Sequence, residues 1–564
     1  MIMAQEKVVN LRILQTSDVH GSFFPYNFVS RKPVKGSMAS VAAYAKQLRK
    51  EMGKNVIMLE NGDIMQGQPL NYYYNFIHPE KENIASQVVN YIGFDAQSVG
   101  NHDVETGHAV YDKWIKEVKC PVIGANIVDA STGKPYVKPY VIIERDGVKV
   151  AVLGMITPAI PNWLNESLWK GLKFEEMVSC TRKWVEYIKE NEKPHIIAGL
   201  FHSGREGGIT TPDYVEDASL EVAREVDGFD IVFYGHDHFG HNEIVKNRHT
   251  GAEVLCIDPS CNAHLLSDVS VEVTMKDGKM IDKKIKGELT DMDAVEADAE
   301  YMAHFAGVID EMKTYVGRKI GEFTAPMHSR DCFFGSSAFT DFIHEIQLKI
   351  TGADVSFNAP LMFDTTIDAG PVYVSDMFKL YKYENKVYVL EMTGDEIRRH
   401  LEMSYDLWVN TMKSKDDHIM MLDNNYRGDK QRYGFKNLTF NFDSAQGIDY
   451  EVDVTKPDGE KVRILRMTNG EPFDLNKTYR VATNSYRGNG GGELLTRGAG
   501  IPLEEIKNRI VYQSDMDQRY YLMQEIERQG VMTPKAHNNW RFVPTEWTED
   551  AIKRDKELIF GKKK

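Results

Sequence analysis

Five short stretches of this sequence end an apolar run in aspartate, asparagine or histidine, the side chains that bind divalent cations. Leu11–Leu14 leads to Asp18 and His20, and Val56–Leu59 leads to Asn61, Gly62 and Asp63. Ala96–Val99 leads to Gly100, Asn101, His102 and Asp103; Ile196–Leu200 leads to His202; Ile231–Tyr234 leads to Gly235, His236, Asp237 and His238. Carboxylate and imidazole together suit Mn, Zn, Fe or Co, and a carboxylate such as Asp63 can bridge two ions. Two ions about 3.5 to 4 Å apart clamp the oxygens of an in-line phosphoryl displacement and lower the pKa of a bridging water toward about 7. A hydroxide nucleophile is then available at neutral pH. His102 follows the neutral amide of Asn101 and is best placed to donate to a phosphate oxygen. Glycines beside these residues let the backbone turn sharply and approach the ions. The other histidines, among them His108, His195, His241 and His264, have no such neighbours and read as structural.

Apolar runs that stop at Gly, Asn or Asp read as buried strands. Ligands gather at the carboxyl ends of strands in such sheets, so the polar endings should converge on one edge. Strand and helix patterns alternate from residue 8 to 290, with a helix expected over Ala39–Met52, which predicts an α/β domain. Near Asp291 the pattern changes. Apolar positions at Ala299, Met302, Phe305, Ile309, Met312 and Val316 predict one amphipathic helix across 295–316, within a linker spanning 291–316. A second domain then covers 317–550, with a strand at Lys386–Met392, a helix opening at Thr393-Gly-Asp-Glu396 and a Gly-rich loop at Tyr486–Glu493. Residues 551–564 read as a solvated basic tail.

A chain of 564 residues is too long for one hydrophobic core, so two domains are the default. Its 68 basic and 83 acidic residues leave a net charge of -15, which disfavours a nucleic acid polymer or an anionic membrane as the main partner. No apolar run is long enough to cross a membrane. The cysteines at 120, 180, 256, 261 and 332 form no CxxC pair and indicate neither a disulfide framework nor a zinc ribbon. The start, Met1-Ile-Met-Ala-Gln-Glu6, has no basic region followed by an apolar stretch, so no intact signal peptide is read there.

The blocks Asp-x-His, Gly-Asp, Gly-Asn-His-Asp and Gly-His-x-His, in that order, resemble the calcineurin-like metallophosphoesterases. The resemblance implies a four-layer αββα N-terminal domain holding two divalent metal ions. Asp18, His20, Asp63 and His238 would bind one ion, and Asp63, Asn101, His202 and His236 the other. His102 would stabilise the transition state beside a carboxylate three residues on, which is Glu105 here and aspartate in the nucleotidase branch. Beyond the metal domain the chain looks like the larger 5′-nucleotidase / cyclic phosphodiesterase family, whose C-terminal α/β domain stacks the base between two aromatic rings. Leu380-Tyr-Lys-Tyr-Glu-Asn385 and Thr483-Asn-Ser-Tyr486 match the two ring segments and point to Tyr383 and Tyr486. Asn358 and Arg330 match substrate-facing positions.

Two departures separate the chain from the 5′-nucleotidase branch. Phe363 stands where that branch has an arginine, and Gly490-Gly-Gly492 stands where it has Gly-Gly-Asp. The Phe-Asn-Ala-Pro and Tyr-Lys-Tyr-Glu-Asn segments look more like the 2′,3′-cyclic-nucleotide 2′-phosphodiesterase / 3′-nucleotidase branch. That branch implies hydrolysis of a small nucleotide by a metal-bridging hydroxide, in the periplasm or outside the cell. A 5′-nucleotidase or nucleotide-sugar hydrolase is the alternative, and a nucleotide-binding protein without turnover is a third reading.

Overall fold

Every residue of Val56-Ile-Met-Leu-Glu60 is buried, as a parallel strand covered on both faces requires. It lies in a computed structural model that describes residues 6–423 and 434–561 and divides into two units, Met1–Thr314 and Tyr315–Lys564. The first unit contains, in chain order, β1 (Lys7–Thr16), β2 (Val56–Glu60), β3 (Ala96–Ser98), β4 (Val122–Ile123), β5 (Tyr140–Arg145) and β6 (Val148–Ile156). It continues with β7 (Ile196–His202), β8 (Ile231–Tyr234), β9 (Gly240–Lys246), β10 (Glu253–Pro259), β11 (Leu265–Lys276) and β12 (Lys279–Asp291). They form two six-stranded sheets, ordered β12-β11-β1-β2-β3-β4 and β9-β10-β8-β7-β6-β5. β1 through β4 run parallel, and so do β6, β7, β8 and β10. The carboxyl ends of these strands therefore share one edge in each sheet.

The sheets face each other across an apolar core in which Ile13, Ile57 and Leu59 meet Val150, Leu200 and Phe233. Burying each such side chain contributes about 1.5 to 3 kcal/mol. Helices Met177–Asn191 and Ser219–Glu225 cover the outer face of the second sheet through Val185, Ile188, Leu220 and Val222. Helix Met38–Met52 packs on β2 from outside the first. The layering is αββα.

The helix expected across 295–316 is broken. Ala299–His304 and Ala306–Val316 are separate helices, with Phe305 between them at φ -95°, ψ 8°. Phe305 docks its ring against Phe24, Tyr91 and Tyr301, and burying that ring takes its backbone out of the helical conformation. Apolar spacing marks which residues are buried but does not show that they share one axis.

In the second unit a five-stranded sheet runs in the order Ser444–Gln446, Val355–Asn358, Thr478–Asn484, Lys386–Thr393 and Ile510–Asp517. Helix Gly394–Trp408 opens as its sequence predicts: Glu396 N donates to Thr393 Oγ1 at 3.2 Å and Thr393 N to Glu396 Oε2 at 2.8 Å, a reciprocal cap. The Gly-rich stretch is not all loop, since Ser485–Gly488 and Gly491–Glu493 are helical turns. Arg487, 1% exposed, anchors it by donating to Gly491 O at 2.6 Å, Phe440 O at 2.9 Å and both Asp443 oxygens at 2.9 and 3.0 Å. His400 Nε2 lies 2.8 Å from the same carboxylate. Burial alone would raise the Asp443 carboxyl, but the charge of Arg487 together with His400 and their hydrogen bonds brings the carboxyl down to about 2. Asp443→Ala leaves a buried guanidinium unpaired, so it should lower the stability of this unit by about 3 to 5 kcal/mol. Denaturant unfolding would measure this, and a loss below about 1 kcal/mol would show that the pair does not hold the loop.

The basic tail is also different from expectation. Thr545–Phe560 is a helix that buries Thr548, Ala551, Asp555 and Ile559, and Asp555 accepts from Met420 N at 2.8 Å. Lys553 and Lys556 lie on the outward side of this amphipathic helix, and Lys562, Lys563 and Lys564 of the expected tail lie outside the described residues. All five cysteines are free. Among the described residues no helix is long and apolar enough to cross a membrane.

Candidate metal centre

The residues at the ends of β1, β2 and β8 leave their strands in left-handed backbone: φ is 51° at Asp18, 48° at His20, 55° at Asp63, 82° at His236 and 64° at His238. Such conformations cost a non-glycine residue about 1 to 3 kcal/mol and collect at functional sites. They turn the side chains toward one point. Ligand atoms of Asp18, His20, Asp63 and His238 lie within 4.8 Å of one another, and so do those of Asp63, His202 and His236. Asn101 Oδ1 stands 3.1 Å from His202 Nε2. All seven residues picked from the sequence as ligands thus come together, with Asp63 common to both groups.

Asp63 Oδ1 accepts from His102 N at 2.8 Å, which aims Oδ2 at His202 Nε2, 3.2 Å away. Gly100 is required here, because a Cβ would overlap Asp63 Oδ1 and N. Asp18 Oδ2 accepts from Ser17 Oγ at 2.5 Å and His236 N at 2.9 Å. Its other oxygen, Oδ1, is buried without a hydrogen bond, 3.3 Å from His238 Nε2.

Burial by itself raises carboxyl pKa values and lowers those of imidazoles. At Asp18 and Asp63 burial is the largest single influence, but the surrounding histidines, His202 foremost, together outweigh it and hold both below the usual carboxylate range. The carboxylates act back: against its burial, His202 is raised to about 10 by Asp63 and Asp18, and His238 to about 11 by Asp18 and Cys261 together. Burial, then the charge of His238, pushes His20 down to about 3. The carboxylates thus favour positive charge at His202 and His238. A divalent cation supplies the same charge, and the orphaned Asp18 Oδ1 among carboxylate and imidazole donors fits one.

His102 Nδ1 stands 2.6 Å from Glu105 Oε2, so the longer glutamate reaches its partner. Two further residues border the cluster without having been singled out by sequence. Glu216 Oε1 lies 3.1 Å from His236 Nε2, and Trp163 tilts over the His236 ring at 5.6 Å. Both come from short elements with no apolar run to mark them. Asp103 belongs to the Gly-Asn-His-Asp block and was legible there.

In the second unit, Tyr383 and Tyr486 are half-exposed. Lys382 Nζ sits 5.3 Å over Tyr383, and the Arg487 guanidinium 5.6 Å over Tyr486. Phe440 stands perpendicular to Tyr486 at 6.0 Å. Asn358 is 1% exposed, and neither atom of its amide makes a hydrogen bond. Arg330 is engaged with Asp364 through two hydrogen bonds of 3.0 and 3.1 Å and lies over the Phe560 ring. Phe363 packs into an aromatic cluster with Phe333, Phe435 and Phe560.

The fold and the cluster together define a metallophosphoesterase, and comparison with known sequences agrees. Residues 11–240 match the calcineurin-like phosphoesterase family, and residues 319–497 match the 5′-nucleotidase C-terminal domain. The chain belongs to the calcineurin-like metallophosphoesterases of the 5′-nucleotidase / cyclic-nucleotide phosphodiesterase family, and so to an enzyme class that hydrolyses phosphoesters. It is 27% identical to a 2′,3′-cyclic-nucleotide 2′-phosphodiesterase/3′-nucleotidase of Haemophilus influenzae, over 95% of this chain and 88% of that one. A trifunctional nucleotide phosphoesterase protein of Bacillus subtilis is 26% identical over 96% of this chain, which spans 39% of that protein's length. The crystal structure of a 5′-nucleotidase precursor from Thermus thermophilus has the same fold, with a TM-score of 0.64 at 19% identity over 95% of this chain and 100% of that one.

Proposed function

We propose that the chain hydrolyses nucleotide phosphoesters, opening 2′,3′-cyclic nucleotides and then removing the 3′-phosphate. In this reading Asp18, His20, Asp63 and His238 hold one divalent cation, and Asp63, Asn101, His202 and His236 hold a second. The observation that carries it is the convergence of these side chains around one shared carboxylate. Bound cations of the Mn, Zn, Fe or Co type supply Lewis acidity and offset charge on the phosphate.

His102 moves the proton. Its Nδ1 faces Glu105 at 2.6 Å, and that carboxylate stabilises the imidazolium, so that Nε2 holds a proton for the ester. In the first reaction water adds its OH to phosphorus as the bond to the 2′-oxygen breaks; that oxygen takes the proton from His102, and the proton released from the water restores His102. In the second the bond to the 3′-oxygen breaks in the same way, releasing nucleoside and phosphate. Tyr383 and Tyr486 stack the base at roughly 1 to 3 kcal/mol per base with little selectivity.

Phe363 supports the cyclic and 3′ preference. A substrate-binding arginine at that position would have to leave the cluster of Phe333, Phe435 and Phe560. Relatives at 24 to 27% identity named as 2′,3′-cyclic phosphodiesterase/3′-nucleotidase support it as well. A scavenging role of this kind suits a location in the periplasm or outside the cell. The test is phosphate and nucleoside release by the Mn-loaded protein from 2′,3′-cyclic AMP, 3′-AMP and 5′-AMP in parallel. The first two should be hydrolysed at least about tenfold faster in kcat/KM, a difference of about 1.4 kcal/mol. Preference for 5′-AMP would replace this reading with a 5′-nucleotidase.

A further inference from the structure

Asp103 is fully buried, and its carboxylate is surrounded by peptide N–H groups. Oδ2 accepts from Asp63 N at 2.8 Å and Gly100 N at 2.9 Å. Oδ1 accepts from Ile64 N and Met65 N, both at 3.0 Å. Three successive amides of the β2 turn therefore point at one side chain. That turn holds Asp63 at a φ of 55°, a conformation that persists only where its surroundings over-determine it. The fourth amide, Gly100 N, belongs to the turn that leads into Asn101 and His102. From there His102 N returns to Asp63 Oδ1 at 2.8 Å. The two turns, one from β2 and one from β3, are thus closed into a ring through two carboxylates.

We propose that Asp103 is a positioning residue: it holds the strained Asp63 peptide against the Asn101–His102 turn and so sets the affinity of the site for divalent cations. This rests on the metal-binding reading of Asp63. A carboxylate suits the place because charge-assisted bonds to N–H groups are roughly twice as strong as neutral ones. It also offers acceptor positions enough for four donors, whereas an amide offers one oxygen and sets its own N–H₂ against the remaining amides. Ligand geometry must hold within about 0.5 Å to bind a cation well.

The test compares Mn²⁺ dissociation constants, by calorimetric titration, for the wild type, Asp103→Asn and Asp103→Glu, alongside the melting temperature of each metal-free protein. Asp103→Asn should bind Mn²⁺ about 10 to 100-fold more weakly, as loss of a partner supporting a metal ligand typically does. Asp103→Glu, which keeps the acceptors, should recover most of that loss. Saturating Mn²⁺ should restore most of the kcat of Asp103→Asn. A merely structural role predicts a lower melting temperature with unchanged Mn²⁺ affinity, and that result overturns the proposal. Hydrogen exchange on the metal-free wild type gives a second readout should Asp103→Asn not fold. Amides 63 to 65 must be protected there, and free exchange also overturns it. A wild type that binds no Mn²⁺ rejects the metal-binding reading and this inference with it, whereas equal binding by wild type and Asp103→Asn rejects this inference alone.

Discussion

Asp63→Asn should strip the protein of metal and of activity together. The carboxylate is the one group common to both ligand clusters, and its Oδ2 faces His202 and His20 at 3.2 and 3.9 Å. The substitution keeps the shape and the bond from His102 N. It removes the negative charge and leaves one acceptor oxygen where two are in use. We expect less than one cation retained per chain by elemental analysis and a fall in kcat/KM of at least about 1000-fold, or roughly 4 kcal/mol of transition-state stabilisation. A variant that kept its metal content and its rate would remove Asp63 from the centre of the site.

His102→Ala should separate what Asp63→Asn joins. The imidazole bonds to Glu105, while only its backbone N–H touches Asp63, and alanine keeps that N–H. Metal content should therefore stay at the wild-type level. kcat should fall by about 10² to 10⁴, the range that a positioned proton donor contributes, with KM nearly unchanged. Loss of metal in this variant would make His102 a ligand and reassign its role.

Much of the first unit could be read from sequence because parallel strands covered on both faces are written as unbroken apolar runs, and their ends are marked by glycine and by polar residues. The cap at Thr393 and Glu396 was legible for a similar reason, since its two side chains are three residues apart and act locally. What escaped depends on contacts distant in sequence. β12 alternates exposed and half-buried positions and gives little signal without β11 beside it. Phe305 breaks its helix because of Phe24 and Tyr91, which lie far upstream. Glu216 reaches His236 from the short strand Val215–Asp217 and Trp163 from the short helix Ile160–Trp163, and only the folded chain puts them there. At Phe363 the sequence showed that an arginine was missing, and the structure places the ring that replaces it among Phe333, Phe435 and Phe560.

Helix Thr545–Phe560 bears on the order in which the protein is made. Phe560 stacks on Phe333 at 6.2 Å and meets Phe363 at 5.0 Å, so the aromatic cluster of the second unit is closed by residues synthesised some 200 positions after those it covers. During translation the first unit can complete its sheets once β11 and β12 have emerged to pair with β1. The second unit, made later, has no lid for its phenylalanines until Thr545–Phe560 has emerged. A ribosome paused before Thr545 displays a folded phosphoesterase unit joined to an open apolar surface, the kind of nascent chain that chaperones attend and that aggregates without them.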